Sequence, residues 1–190
     1  MEEQLREHLL EGEQLLWTGR PESFDTLDKT NKTPMIAGII IKILITVGFL
    51  ALYIPSAQES GKVLPGLIVI VLLFAAFALI NPFLVVRKLR KKTIYGLTDQ
   101  RILRAGEYDQ AIPYERIKSA VLRTDKDGHT SLLCGPRAVN LKPWKWRGEA
   151  EASFINNPDD PEAARVIFYA IPMNPQVSGI LNRYLPLRKS

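Results

Sequence analysis

The chain has 190 residues, is 46% hydrophobic and carries a formal net charge of +5, with a mean hydropathy of −0.02 and a pI of about 9.3. The charge is a sum of unlike parts: residues 1–34 hold four basic and eight acidic side chains, residues 87–92 five basic ones, and residues 93–190 fourteen basic and eleven acidic. No block presents the broad positive face of a nucleic-acid binder, and a single cysteine, Cys134, excludes an intramolecular disulfide and a thiolate zinc cluster.

The first thirty residues lack a basic region followed by an apolar core, which predicts no cleavable signal peptide. Two apolar runs follow, Met35–Ile54 and Val63–Val86, each near the ~20 residues that span a hydrocarbon core of about 30 Å. Residues 55–62 between them contain a Pro and a Gly and suit only a tight turn, so the runs are expected to form an antiparallel transmembrane hairpin. The second run stops at Arg87-Lys88-Leu89-Arg90-Lys91-Lys92. Positive charge is retained on the cytoplasmic side, which places both termini in the cytoplasm and residues 55–62 outside.

This juxtamembrane cluster has two readings. It is a topology determinant that needs no ligand, or it is a surface for anionic head groups, each Lys or Arg contributing about 1 kcal/mol beside an anionic leaflet. Lys42 interrupts the first run, where a lysine at mid-membrane costs roughly 2.5–3.5 kcal/mol. It either snorkels to the nearer interface or finds a buried partner, and the second run offers no carboxylate, only Asn81.

From Thr93 the pattern changes to short β-branched and aromatic segments: Ile94–Leu97, Arg101–Arg104, Ser119–Thr124 and Thr130–Cys134. Asp125-Lys126-Asp127-Gly128 is a hairpin turn, Gly supplying positive φ. It also opens like a calcium loop, but the twelfth position, where a glutamate ligand is needed, is Pro136. Leu141–Arg147 holds Trp144 and Trp146 among cations. An extended backbone puts both indoles on one face and Lys145 and Arg147 on the other, either as a core or rim pair or as a strand lying at the head-group layer. Asn156–Pro161 reads as a loop, and Arg165–Ile171 suits a buried strand slightly better than a helix. Asn174-Pro175 is an N-cap followed by a first-turn proline, opening an amphipathic helix to Tyr184 with Val177, Ile180, Leu181 and Tyr184 on one stripe.

Three motifs in order, Glu11–Pro21 ahead of the paired runs, Tyr95–Leu103 and Ile112–Ser119, resemble the bacterial pleckstrin-homology (PH) family of membrane proteins. The resemblance covers the N-terminal box, the hairpin and the first half of residues 93–190. It implies an α+β membrane protein of a bacterial cytoplasmic membrane: a transmembrane hairpin followed by a PH-like sandwich or barrel of seven strands in two sheets, capped by a C-terminal helix. It implies no enzymatic activity and no cofactor. Gly19, Arg20, Pro21, Thr98, Asp99 and Arg101 are its motif residues, and each has a structural role to play. The hydroxyl and carboxylate of Thr98 and Asp99 can satisfy a turn, Arg101 can pair with Asp99 or another carboxylate, and the Gly-Arg-Pro box can return to pack on the domain. Phosphoinositide recognition does not carry over, since Arg101 and Arg104 are followed by Glu107 and Asp109.

The organisation expected is a cytoplasmic segment 1–34, spans 35–54 and 63–86 joined by the turn 55–62, the basic cluster 87–92 and a PH-like domain 93–190. Neither His8 nor His129 has a spaced partner, and no nucleophile elbow, phosphate loop or metal-ligand cluster occurs. The expected function is a non-catalytic, membrane-anchored module that recognises a protein segment or anionic head groups of the bilayer. Its surface would be Arg87, Lys88, Arg90, Lys91, Lys92, Trp144, Lys145, Trp146 and Arg147. The rival is an assembly subunit acting through the hairpin, where Gly38, Ala75, Ala76 and Ala78 permit close helix approach.

Overall fold

The computed structural model describes residues 5–61, 64–106, 110–151 and 165–188. The two apolar runs are helices α1 (Lys32–Glu59) and α2 (Pro65–Lys92), each of 28 residues, about 42 Å long at about 1.5 Å per residue. Both are long and apolar enough to cross a membrane, and their apolar stretches are not buried inside the protein. The expected turn at 55–62 begins later, because α1 continues through Pro55 to Glu59. Proline there removes only its own N–H, and the helix stops where the Ser60 hydroxyl donates to the Ser56 carbonyl at 2.8 Å and Gly61 takes φ +64°, a glycine C-terminal stop. Likewise α2 runs past Val86 through the whole basic cluster. Lys62 and Val63 lie outside the described residues, as do Asn156–Pro161, Glu107 and Asp109.

Pro82 lies inside α2. Having no N–H, it leaves the carbonyl four residues earlier, that of Ala78, without its helical donor. Lys42 Nζ donates to that oxygen at 2.8 Å. Lys42 therefore has a partner across the hairpin, and the acceptor is backbone rather than the Asn81 side chain.

Among the described residues eight strands form two four-stranded sheets. The first has β1 (Leu15–Gly19), β2 (Ile94–Thr98), β3 (Arg101–Ala105) and β4 (Gln110–Pro113) in that order, all antiparallel. The second runs in the order β7 (Val166–Phe168), β6 (Thr130–Gly135), β5 (Ser119–Thr124), β8 (Leu187–Arg188), with β8 parallel to β5. The expectation was seven strands, all after the hairpin. The eight include β1, contributed by the segment before it, whose Thr18 and Gly19 lie opposite Gly96 and Tyr95. Residues 1–34 and 93–190 thus share one sheet, and α1 and α2 are an insertion between two neighbouring strands.

The sheets enclose a core in which Tyr95 and Phe168 stack at 4.2 Å and the Tyr95 hydroxyl donates to the Tyr169 carbonyl at 2.8 Å. Gly96 makes room where the N-terminal segment crosses β2: a Cβ there would lie 3.2 Å from Leu5 and 3.4 Å from Leu103, so those side chains would have to give way. The β5–β6 turn has Gly128 at φ +89°, as its Asp-Gly sequence predicts. Two short helices complete the fold, α3 (Trp146–Glu151) and α4 (Pro175–Tyr184). Asn174 caps α4, its side chain accepting from the Val177 N–H at 2.8 Å, and Val177 and Leu181 are buried in the core.

A fragment that starts at Thr93 lacks β1 and leaves the β2 edge open. It is expected to show no cooperative thermal transition by circular dichroism, whereas residues 5–31 joined to 93–190 by a Gly/Ser linker regain one. Equal transitions in the two proteins would contradict the shared sheet.

Candidate membrane-interface site

Pro143 opens a 3-10 turn, Pro143–Lys145, that leads directly into α3. Two residues apart on a strand share a face, but on a helix they point nearly opposite ways. Trp146 and Arg147 consequently turn inward, at 1% and 4% exposure, while Trp144 is 43% exposed and Lys145 is exposed with its Nζ 5.2 Å from the Trp144 ring. The segment is therefore not extended, and Trp146 and Arg147, expected on the membrane-facing surface, are instead in the interior.

Arg147 is the centre of a buried knot. Its Nη2 pairs with the Asp28 carboxylate and donates to the Tyr169 hydroxyl at 2.9 Å, and its Nη1 donates to the carbonyls of Asp25 and Thr26 at 2.9 and 3.2 Å. The guanidinium also lies 4.5 Å from the Phe24 ring and 5.1 Å from that of Tyr169, the favourable face for a cation. Tyr169 in turn donates to Asp125 at 3.1 Å. Burial pushes the Tyr169 hydroxyl above its ordinary value, and the nearby guanidinium only partly opposes this.

Asp28, Asp125 and Asp127 place carboxylate oxygens within 4.8 Å of one another. Each already accepts three hydrogen bonds. Asp28 accepts from the Asn31 backbone and side chain at 2.8 and 3.0 Å, and Asp125 from the N–H groups of Asp127 and His129 at 2.9 and 3.0 Å. Asp127 accepts from the Lys29 N–H, Thr30 N–H and Thr30 hydroxyl at 3.0, 2.9 and 2.7 Å. Burial tends to raise the Asp127 carboxyl, but these donors and the Lys29 charge hold it below its ordinary value. With Arg147 supplying the positive charge, the trio clasps the β5–β6 turn to the start of α1 rather than caging a cation.

The motif residues form a second clasp. Glu13, whose side chain is fully buried, accepts from the Thr98 hydroxyl at 2.7 Å and from Arg101 Nε and Nη2 at 2.9 and 2.8 Å. Arg101 thus pairs with a carboxylate of the N-terminal box, not with Asp99, which instead accepts from the Gln14 N–H at 2.9 Å. Burial tends to raise the Glu13 carboxyl, yet the bonds from Arg101, the Leu10 N–H and Thr98 hold it below its ordinary value. Gly19 is required by its neighbour, since a Cβ would lie 2.3 Å from the Trp17 ring. Arg20 is exposed and Pro21 half-buried.

The basic cluster divides by helical face. Val86 and Leu89 are buried against the sheet body, Lys88 is half-buried and Lys92 is exposed at the helix end. Arg87, Arg90 and Lys91, three and four residues apart and hence on one face, line a cavity of about 280 Å³ with Thr26 and Phe83. Among the described residues no carboxylate lines it. A second cavity, of about 300 Å³, shares Thr26 and Val86 with it and reaches Trp144 and Arg147. The sequence therefore identified the cations but not Thr26, Asp28 or Tyr169. The available signal was Asp28-Lys29-Thr30-Asn31, a polar cap sequence directly before an apolar run.

Compared with known proteins, the chain matches no family model, no curated protein and no solved structure.

Removing one partner of a buried pair strands the other. Arg147→Met is expected to lower stability by about 3–5 kcal/mol in denaturant titrations of the detergent-solubilised chain, and adding Asp28→Asn should cost less than the two single changes together. Strict additivity would contradict the pairing. For Glu13, a folded value below the ordinary 4.5 means that its stabilisation is complete above that value and is lost as pH falls through the folded one. Glu13→Gln is expected to flatten the acid limb of stability against pH, and an unchanged limb would show that the carboxylate is not held low.

Proposed function

We propose that this chain is a non-catalytic, membrane-anchored binding module of a bacterial cytoplasmic membrane. In this reading α1 and α2 cross the bilayer as an antiparallel hairpin with both chain ends inside. The two-sheet body lies on the inner leaflet as a PH-like domain, where Arg87, Arg90 and Lys91 receive anionic lipid head groups. The observation that carries the reading is the convergence of these three cations on one cavity lined, among the described residues, by no carboxylate, directly after the apolar stretch of α2. The exposed Trp144 and Lys145 suit the same layer, where indole rings and cations are both favoured. At about 1 kcal/mol per cation the trio contributes roughly 3 kcal/mol, or about a hundredfold in affinity.

The rival, an assembly subunit acting through the hairpin, draws less support. Gly38 lines the space between the helices at its cytoplasmic end, and Ala75 and Ala78 line it further along. Of Gly38, Ala75, Ala76 and Ala78, only Ala76 is exposed.

In nanodiscs, anionic lipid is expected to raise the melting temperature of the full chain over neutral lipid, with an increment that shrinks with salt. The triple change Arg87→Gln, Arg90→Gln, Lys91→Gln should remove most of that increment. An increment that is absent in the parent chain, or equal in parent and triple variant, would overturn the reading.

A further inference from the structure

Lys42 stands at the junction of two cavities between the long helices. Toward the sheet body lies the cleft of about 300 Å³, lined by Gly38, Asn81, Pro82, Trp144 and Arg147 among others. Away from it lies an apolar groove of about 440 Å³, walled by Ile45, Phe49, Ile70, Phe74 and Ala75. Lys42 lines both, and among the described residues no carboxylate lines either.

The ammonium is fixed there. Its bond to the Ala78 carbonyl at 2.8 Å answers the acceptor that Pro82 releases, so Lys42 is held between the helices instead of reaching for the interface. One carbonyl satisfies one of its three N–H donors and none of its charge. Asp28, beside the cleft, is engaged by Arg147, whose buried Nε has no hydrogen-bond partner among the described residues. A cation facing an apolar groove without a counter-charge calls for an anion that carries its own apolar part.

The geometry points to a single bound anionic phospholipid. Its phosphate lies in the cleft against Lys42 and the Asn81 amide, and one acyl chain runs along the groove between Phe49 and Phe74. A head group without an amine is favoured, because no carboxylate among the described residues lines the cleft to receive an ammonium. This site is separate from the Arg87, Arg90 and Lys91 cavity, although it rests on the proposal that α1 and α2 cross the bilayer.

The test is native mass spectrometry of the full chain, extracted in mild detergent and supplied with equimolar phosphatidylglycerol and phosphatidylethanolamine. One phosphatidylglycerol per chain is expected to survive delipidation, at least tenfold in excess over phosphatidylethanolamine. Lys42→Met should abolish retention. Because that change also strips the Ala78 carbonyl of its donor, Gly38→Leu serves as the second variant: a Cβ at Gly38 meets nothing within 4 Å, so the larger side chain fills the cleft while leaving the Lys42 bond intact. Gly38→Leu should likewise lose the lipid, with an unchanged melting temperature in detergent, and the Arg87/Arg90/Lys91 triple variant should keep it. No retained lipid in the parent chain, full retention in Gly38→Leu, or a second copy of the chain in place of lipid would overturn the site. A chain washed from membranes by alkaline carbonate would instead mean that the hairpin does not span, a failure of the underlying reading.

Discussion

The pairing of β1 with β2 governs the rest of the molecule. These strands are neighbours in one sheet, yet 74 residues, both long helices among them, separate Gly19 from Ile94. An insertion between paired strands must return to where it left, so the two helices are obliged to run antiparallel with their outer ends side by side. On the proposed membrane reading the same constraint puts both chain ends on one side of the bilayer, independently of the charge rule that gives the same answer.

Each end of the insertion is fixed by different chemistry. The exit is direct: α2 ends at Lys92 and β2 starts at Ile94, with Val86 and Leu89 buried against the body. The entry passes through residues 20–31 and is held by polar groups. The Glu22 N–H donates to the Ala170 carbonyl at 2.7 Å, Phe24 meets Tyr169 edge-on at 4.9 Å, and Asp28 pairs with Arg147. The ion pairs Glu13–Arg101, partly buried, and Asp28–Arg147, buried, each join the segment before the hairpin to the part after it. Buried pairs add little net stability but punish any arrangement that separates them, which suits a joint between distant parts of one chain. Lys42 and Ala78 repeat this logic between the helices.

Much of this was legible in the sequence where local chemistry decides the outcome. Asn174-Pro175 marked the start of α4 and Asp127-Gly128 the β5–β6 turn, because caps and turns are determined by the residues that form them. Four of the five strands between Ile94 and Gly135 followed from β-branched segments between turn formers, and β4, Gln110–Pro113, was missed. What stayed hidden depends on partners far along the chain. Leu15–Gly19 is short, half-buried throughout and without alternation, so nothing local marks it as a strand. Trp144 and Trp146 fit a strand face by spacing alone, and only the packing of Trp146 and Arg147 against residues 24–28 makes the segment helical. The acceptor for Lys42 was visible in principle, four residues before Pro82, but only to a search that counts backbone carbonyls as partners for side chains.

The most direct test of the central claim is thiol labelling of the full chain in intact cells. The native Cys134 is fully buried and gives no background. A cysteine introduced by Ser60→Cys lies exposed where the two helices meet, and one introduced by Lys126→Cys lies exposed on the sheet body. With a membrane-impermeant maleimide, the account predicts that Ser60→Cys is labelled at once and Lys126→Cys only after the membrane is opened. Labelling of Lys126→Cys in intact cells, or equal labelling of the two, would contradict a hairpin that crosses the membrane from a single folded body on its inner face.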